Sequence, residues 1–389
     1  MAPIVRLLLL VWFGLVLADV RPAAQDSADA LAHRIEAAQP GATRELGSFT
    51  MAELLQRTKV PGVSVAVIKD SAIHFAKAYG LADIGAKRPV EVGTLFQAAS
   101  ISKPVTAMAT ARLAQEGRFS LDADVNTLLK SWKVPVSEHN RDHPVTPRAL
   151  SSHTSGADDG FGFPGYDPAA PRPSLVQILN GETPSNVGPV LFVRPPFQSF
   201  KYSGGSVTLM QLALMDVTGR PFAELLHDTV LGPLQMTNSS FEQPLPAAWA
   251  ARAAHAHNRD GMAQPVPWHV YPEQAAAGLW TTSTDLAKFA IEVQRALRGP
   301  RGAVLTQASA REMTTPVGVG PYGVGFSVEK RGEGWYFGHG GSNWGFRCTL
   351  LAHLRKGYGV VVMTNGDNGS VLATELVERV AAAYQWDMK

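Results

Sequence analysis

The chain has 389 residues, 45% of them apolar and 17% charged, with a formal net charge of +2. This composition supports a large globular core and excludes a disordered tail. Balanced charge without a long Lys/Arg block gives no electrostatic footprint for nucleic acid, so the expected partner is a small neutral or modestly charged molecule.

Residues 1–18 carry one positive charge, Arg6, an apolar run from Leu7 to Leu17, and small residues ending at Ala18. This is a signal-peptide pattern, and the run is shorter than the roughly 20 residues that a membrane span needs. The expectation is export to the periplasm or beyond, cleavage after Ala18, and no stable membrane span after processing. No Cys follows the run, which disfavours a lipoprotein.

Residues 19–47 read as a leader segment, with a helix over Ser27–Ala38 and a loop at Pro40–Thr43. From Gly62, alternation of Val63, Val65 and Val67, a break at Asp70–Ser71 and a second run from Ile73 to Tyr79 predict a β-hairpin. The middle of the chain offers helical runs, such as Leu209–Asp216 and Pro221–Leu226, and few strands. After Ala275 a helix is predicted over Thr284–Leu297, capped by Ser283 or Thr284, with Leu286, Phe289, Ala290, Val293 and Leu297 on one stripe. Strand-like runs follow at Tyr322–Val328, Trp335–Gly338, Phe346–His353 and Tyr358–Met363, then a helix over Val371–Tyr384. They read as an antiparallel meander whose sheet is joined by the first hairpin.

The expected fold is therefore α/β (α+β): an antiparallel sheet flanked by helices, from residues 48–99 and 276–389, plus a central, mainly helical domain over 100–275. The single Cys348 excludes intrachain disulfides, and its place in the alternating run Phe346–Leu351 predicts a core thiol. Gly160, Gly162 and Gly165, and again Gly318, Gly320 and Gly323, match G-x-G-x-x-G, but neither set lies between a strand and a helix, so both read as loops. His255 and His257 share one face of an extended segment without an evident carboxylate partner, which is weak support for a metal.

The informative segment is Gln97-Ala98-Ala99-Ser100-Ile101-Ser102-Lys103-Pro104, continued by Val105, Met108, Ala109 and Leu113 at helical spacing. Pro104 is tolerated only in a first turn, which sets Ser100 near a helix N-terminus where free N–H groups favour developing negative charge. Lys103 is nearly one turn on. Beside Ser100 in a desolvated cleft its ammonium can release its proton and act as a base.

With Ser151-Ser152-His153-Thr154-Ser155-Gly156, Phe200-Lys201-Tyr202-Ser203-Gly204-Gly205 and Phe337-Gly338-His339-Gly340-Gly341-Ser342-Asn343, the sequence resembles the serine β-lactamase and penicillin-binding-protein superfamily. The branch it resembles includes class C β-lactamases, D-alanyl-D-alanine carboxypeptidases, D-aminopeptidases and family VIII carboxylesterases. The resemblance spans roughly residues 48–385. It implies a β-lactamase/transpeptidase-like fold, Ser100 as the acylated nucleophile, Lys103 as proton acceptor and Tyr202 as proton shuttle. His339, Gly340 and Gly341 would line the substrate on a strand, with Ser342 donating to the oxyanion.

Two departures stand out. Gly204 occupies the place where members often carry a substrate-contacting Asn, and His339 the place of a substrate-binding Lys. The glycines 340 and 341 suggest a flat floor with room for a bulky acyl group, and Arg347 is a candidate substitute cation. His153 reads as a loop brace. The expected function is hydrolysis of a small ester, amide or peptide through acyl-Ser100, without metal or cofactor, most readily as a carboxylesterase or D-amino-acid-specific peptidase. The alternatives are a class C-like β-lactamase or D-alanyl-D-alanine carboxypeptidase, and a non-turning-over penicillin-binding sensor or binding module. The sequence assigns no oligomeric state.

Overall fold

The structure is a computed structural model that describes residues 27–39, 41, 44–160, 162–299 and 302–388. The predicted signal peptide, its cleavage site at Ala18 and the loop residues Pro40, Ala42 and Thr43 lie outside these. The predicted leader helix is α1, Ala28–Glu36, capped by Ser27.

The hairpin is β1 (Gly62–Lys69) and β2 (Ala72–Asp83), extended by the short β3 (Arg88–Pro89). The C-terminal meander is β4 (Ser327–Arg331), β5 (Gly334–Asn343), β6 (Phe346–His353) and β7 (Gly359–Thr364). Together they form one antiparallel sheet in the order β3-β2-β1-β7-β6-β5-β4, in which Val63 opposes Thr364. The two ends of the chain thus meet at the centre of the sheet.

Alternation decides what each face touches. Val63, Val65 and Val67 of β1 join a core with α2 (Met51–Thr58) and the last helix, Gly369–Ala383. Ala66 and Ile68 join the second, larger core, which holds α3 (Ser102–Gln115), α4 (Gly204–Thr218) and α5 (Ser283–Arg298). Helices on both faces explain why β1 is apolar at consecutive positions. The last helix, α6, covers β6 and β7. Between the two halves of the sheet the chain is mostly helix and loop. Among the described residues no helix is long and apolar enough to cross a membrane.

Several boundaries differ from expectation, each for a local reason. Helix α5 is capped by Thr282, whose Oγ1 accepts from Asp285 N at 3.2 Å, while the Ser283 hydroxyl is committed to Ser64 at 2.8 Å. Helix α4 begins at Gly204, ahead of the predicted Leu209, because the Ser203 hydroxyl caps it at Ser206 N. The run predicted to start at Tyr322 joins the ladder only at Ser327, since Gly325 turns at φ +100° against α3. In contrast β5 runs five residues past Gly338, carrying His339-Gly340-Gly341-Ser342 on its extended backbone.

Candidate active site

Ser100 is presented by a strained turn. The strand pair Phe96–Gln97 with Trp280–Thr281 delivers the chain to Ala98, whose N–H donates to Leu279 O at 2.8 Å. Ala99 then adopts φ +51°, a left-handed conformation costing an L-residue about 1–2 kcal/mol, and a 3₁₀ turn over Ala99–Ile101 leads into α3. This turn lies against β5, where a Cβ on Gly341 would stand 2.3 Å from Ala98 O. Glycine at 341 is therefore what lets the nucleophile turn reach the strand.

The two serines of the segment differ in what they do. The Ser102 side chain is fully buried; its hydroxyl donates to Ala99 O at 2.6 Å and accepts from Leu279 N at 3.0 Å, which braces the turn. Ser100 is half-buried and faces Lys103, whose Nζ lies 3.0 Å from Ser100 Oγ and 2.9 Å from Ala276 O. Lys103 is 3% exposed, and burial lowers it to about 7 against an opposing charge on Asp159. A lysine so placed is substantially neutral near neutral pH.

Tyr202 completes the group. Its phenol is hydrogen-bonded to Ser100 and raised by burial, and its ring centroid lies 5.1 Å from Lys103 Nζ. His153, at φ +60°, packs against that ring with centroids 4.3 Å apart and planes tilted by 33°, and is driven well below its ordinary value by burial, with Lys103 and His339 adding to the effect. Its carbonyl accepts from Lys201 N at 2.9 Å and its Nδ1 from Ser203 N at 3.2 Å. The predicted loop brace thus holds the backbone on both sides of Tyr202.

On β5, His339 is 5% exposed between the rings of Tyr202 and Tyr322. Its Nδ1 is 2.5 Å from Gly340 O, and since a carbonyl only accepts, Nδ1 carries the hydrogen. Nε2 is then a bare acceptor, with no hydrogen-bond partner among the described residues. Burial, aided by Lys103, pushes the imidazole down to about 3, so it is neutral. Strand β4 pairs only as far as Gly338, which leaves the Gly340–Ser342 edge of β5 open near Ser100. Asn343 secures that edge through Gln97 Oε1 at 2.9 Å and Ala277 O at 3.1 Å.

Two expectations change here, and the place of Gly204 is explained. The glycines do not form a floor for an acyl group: the space of a Gly341 side chain is taken by Ala98 and Ala99, and Gly340 lines a hollow with Thr349, Thr374 and Val377 beside α6. Arg347 is not a substitute cation, because alternation turns it to the α6 face, where it pairs with Asp367 at 2.9 Å. The space opened by Gly204 is filled by Phe163, whose Cε2 lies 2.7 Å from where a Cβ would be.

Elsewhere, His255 contacts Asp83 at 3.3 Å while His257 Nδ1 donates to Asn365 O, and among the described residues no group of three His, Cys, Asp or Glu could hold a metal. Cys348 is buried, and its thiol is pushed up to about 12. Asp159, Ala276 and Asn343 were not singled out by sequence reasoning. Only their spatial proximity to Lys103, Tyr202 and β5 marks them.

The beta-lactamase family matches residues 50–385. Protein flp of Staphylococcus aureus is 25% identical over 321 residues, 80% of this chain and 61% of the relative, so the chain spans about three fifths of that relative's length. Esterase EstB of Burkholderia gladioli is 27% identical over 317 residues, 74% of this chain and 76% of the esterase. The crystal structure of SurE with D-Leu shares the fold, with a TM-score of 0.70 and 23% identity over 92% of this chain and 76% of that one. The chain belongs to the beta-lactamase family, and its paired serine and lysine form a serine-hydrolase-type active site.

Proposed function

We propose that the protein hydrolyses esters or amides that lack a carboxylate near the scissile bond, through an acyl-Ser100 intermediate. The observation that carries this is the 3.0 Å approach of a buried Lys103 Nζ to a half-buried Ser100 Oγ at the start of α3. Neutral Lys103 takes the Ser100 proton as Oγ attacks the carbonyl carbon. The N–H groups of Ser100 and Ser342 receive the oxyanion at the open edge of β5. Tyr202 passes the proton to the leaving alkoxide or amine as the carbonyl–heteroatom bond breaks. Water then attacks the acyl group, its proton travels back along the same path, and Ser100 is released.

The substrate class follows from charge. A carboxylate needs a cation beside the reacting bond, whereas His339 is neutral and Arg347 points to the other face. The similarity to an enzyme named an esterase and to a structure bearing D-Leu favours simple esters and D-amino-acid amides over penicillins. Export from the cytoplasm belongs to the same reading, on the strength of the Leu7–Leu17 run.

Intact-mass labelling with a fluorophosphonate tests the intermediate. One adduct on the native protein and none on Ser100→Ala, with kcat lower by at least about 10³-fold, is the expected result. An adduct retained in Ser100→Ala overturns the assignment, and labelling without turnover of any ester, D-amino-acid amide or cephalosporin makes the protein a sensor.

A further inference from the structure

No regular element holds Tyr202, which lies in an irregular stretch two residues before α4. Its position is set through its neighbours. On one side Lys201 pairs with Asp158, and on the other the Ser203 hydroxyl donates to Asp159. The two consecutive acids therefore grip the residues that flank the phenol. The Lys201–Asp158 pair is exposed on both sides, where such contacts contribute little.

Asp159 is placed differently. It is half-buried, and its second oxygen accepts from Gly205 N at 2.8 Å, with Gly204 N also donating. Burial raises the Asp159 carboxyl while these donors and Lys103 pull it back toward the ionised form. Its charge acts on Lys103 and opposes the effect of burial there. The other groups facing Lys103 are Ser100 from the preceding turn, the Ala276 carbonyl from the short helix Gln274–Ala277, Tyr202, and the neutral imidazoles of His153 and His339. Asp159 is the carboxylate in this group.

We propose that Asp159 is a positioning residue for the proton-transfer pair: through Ser203 it fixes the Tyr202 phenol on Ser100, and its carboxylate is the counter-charge to the Lys103 ammonium. The catalytic consequence rests on the acyl-Ser100 reading, but the effect on Lys103 exists without turnover. Removing a negative charge beside an ammonium makes the proton leave at lower pH. Removing the Ser203 clasp displaces the phenol and leaves the charge in place.

The test compares Asp159→Asn, Asp159→Glu and Ser203→Ala with the native chain, using competitive acetylation of Lys103 against pH, followed by peptide mass, alongside kcat and KM for p-nitrophenyl butyrate. In Asp159→Asn the Lys103 midpoint is expected to fall by about half a unit or more, and in Ser203→Ala to stay at the native value. Both should lose about 10- to 100-fold in kcat with KM within about twofold, as expected for a misplaced catalytic group. Asp159→Glu, which keeps the charge, should return the midpoint toward the native value. A residue that only capped α4 would lower thermal stability without moving the Lys103 titration.

An unmoved midpoint in Asp159→Asn overturns the counter-charge, and native kcat in Ser203→Ala overturns the clasp. Should Asp159→Asn fail to fold, Asp159→Ala replaces it as the variant without the charge, and a midpoint lowered equally in Ser203→Ala would assign the effect to displacement rather than charge. If the native protein turned over no substrate, the acylation readout would still decide the counter-charge, while the failed turnover would count against the acyl-Ser100 reading alone.

Discussion

The sheet and the segment around Tyr202 hold their residues in place by opposite means. Strand β7 is buried along its whole length, paired on both sides and packed between two cores, so many interactions fix each residue at once. Residues 200–205 have no ladder. They depend on the His153 carbonyl and imidazole, and on Asp158 and Asp159. Redundant apolar packing spreads the loss of one side chain over a core, whereas a polar clasp gives way at a single point. Substitutions in the sheet should therefore read out as stability, and substitutions around Tyr202 as turnover.

The largest expected effect lies at the proton-transfer pair. Lys103→Ala and Tyr202→Phe should each lower kcat by about 10³-fold, and the double variant should be little worse than the poorer single one, because the two groups serve one step. Losses that simply multiply would show that the lysine and the phenol act independently. Steady-state kinetics on folded variants, checked by circular dichroism, decides this.

A matched pair of substitutions sharpens the contrast between the regions. Leu376→Ala, in the core under α6, should cost about 2–5 kcal/mol in denaturant unfolding and leave kcat/KM of the folded fraction unchanged. Gly341→Ala should cost less stability, about 1–3 kcal/mol, but lower kcat about 10- to 100-fold. The added methyl would stand 2.3 Å from the Ala98 carbonyl and must push the Ser100 turn off β5. Full activity in Gly341→Ala would mean that the turn adjusts freely and needs no glycine to seat it.

The same contrast explains what the sequence made legible. Alternation at Val63, Val65 and Val67 and at Phe346–Leu351 marked the strands, because burial of a pleated face writes a period of two. The Ser100–Lys103 spacing was legible because nearly one helical turn separates neighbours on one face. The reach of β5 through Gly340 and Gly341 was not legible in the residue pattern and came only from the family resemblance, since glycine carries no burial signal and the register with Thr349 and Cys348 keeps it extended. Nor was Asp159, which meets Ser203 across 44 positions of sequence and belongs to no periodic pattern. Which way Arg347 points was likewise decided by the register of β6 against β5, and no local composition encodes that.

The smallest expected effect concerns the cost of keeping the lysine buried. Lys103 has an ordinary value of 10.5 and is lowered to about 7 in the folded chain, with burial as the leading cause. Between these values the unfolded chain binds the proton and the folded chain does not, so stability rises with pH from about 7 to 10.5 and is flat below about 7. Below that range the folded state carries the full penalty of an ammonium in the cleft, on the order of a few kcal/mol. Lys103→Met should remove that penalty while filling a similar volume, offset by the Ala276 carbonyl losing its donor, which costs about 1–3 kcal/mol. The net expectation is a variant without turnover that is more stable than the native protein by about 1–2 kcal/mol at pH 6. The gain should shrink as pH approaches 10, because giving up the lysine proton on folding costs less the nearer the pH comes to the unfolded value of 10.5. Urea unfolding at pH 6, 8 and 10 measures it. A gain of the same size at all three values would place the effect in packing, and a loss at pH 6 would show that Asp159 and Ser100 offset the desolvation of Lys103 in full.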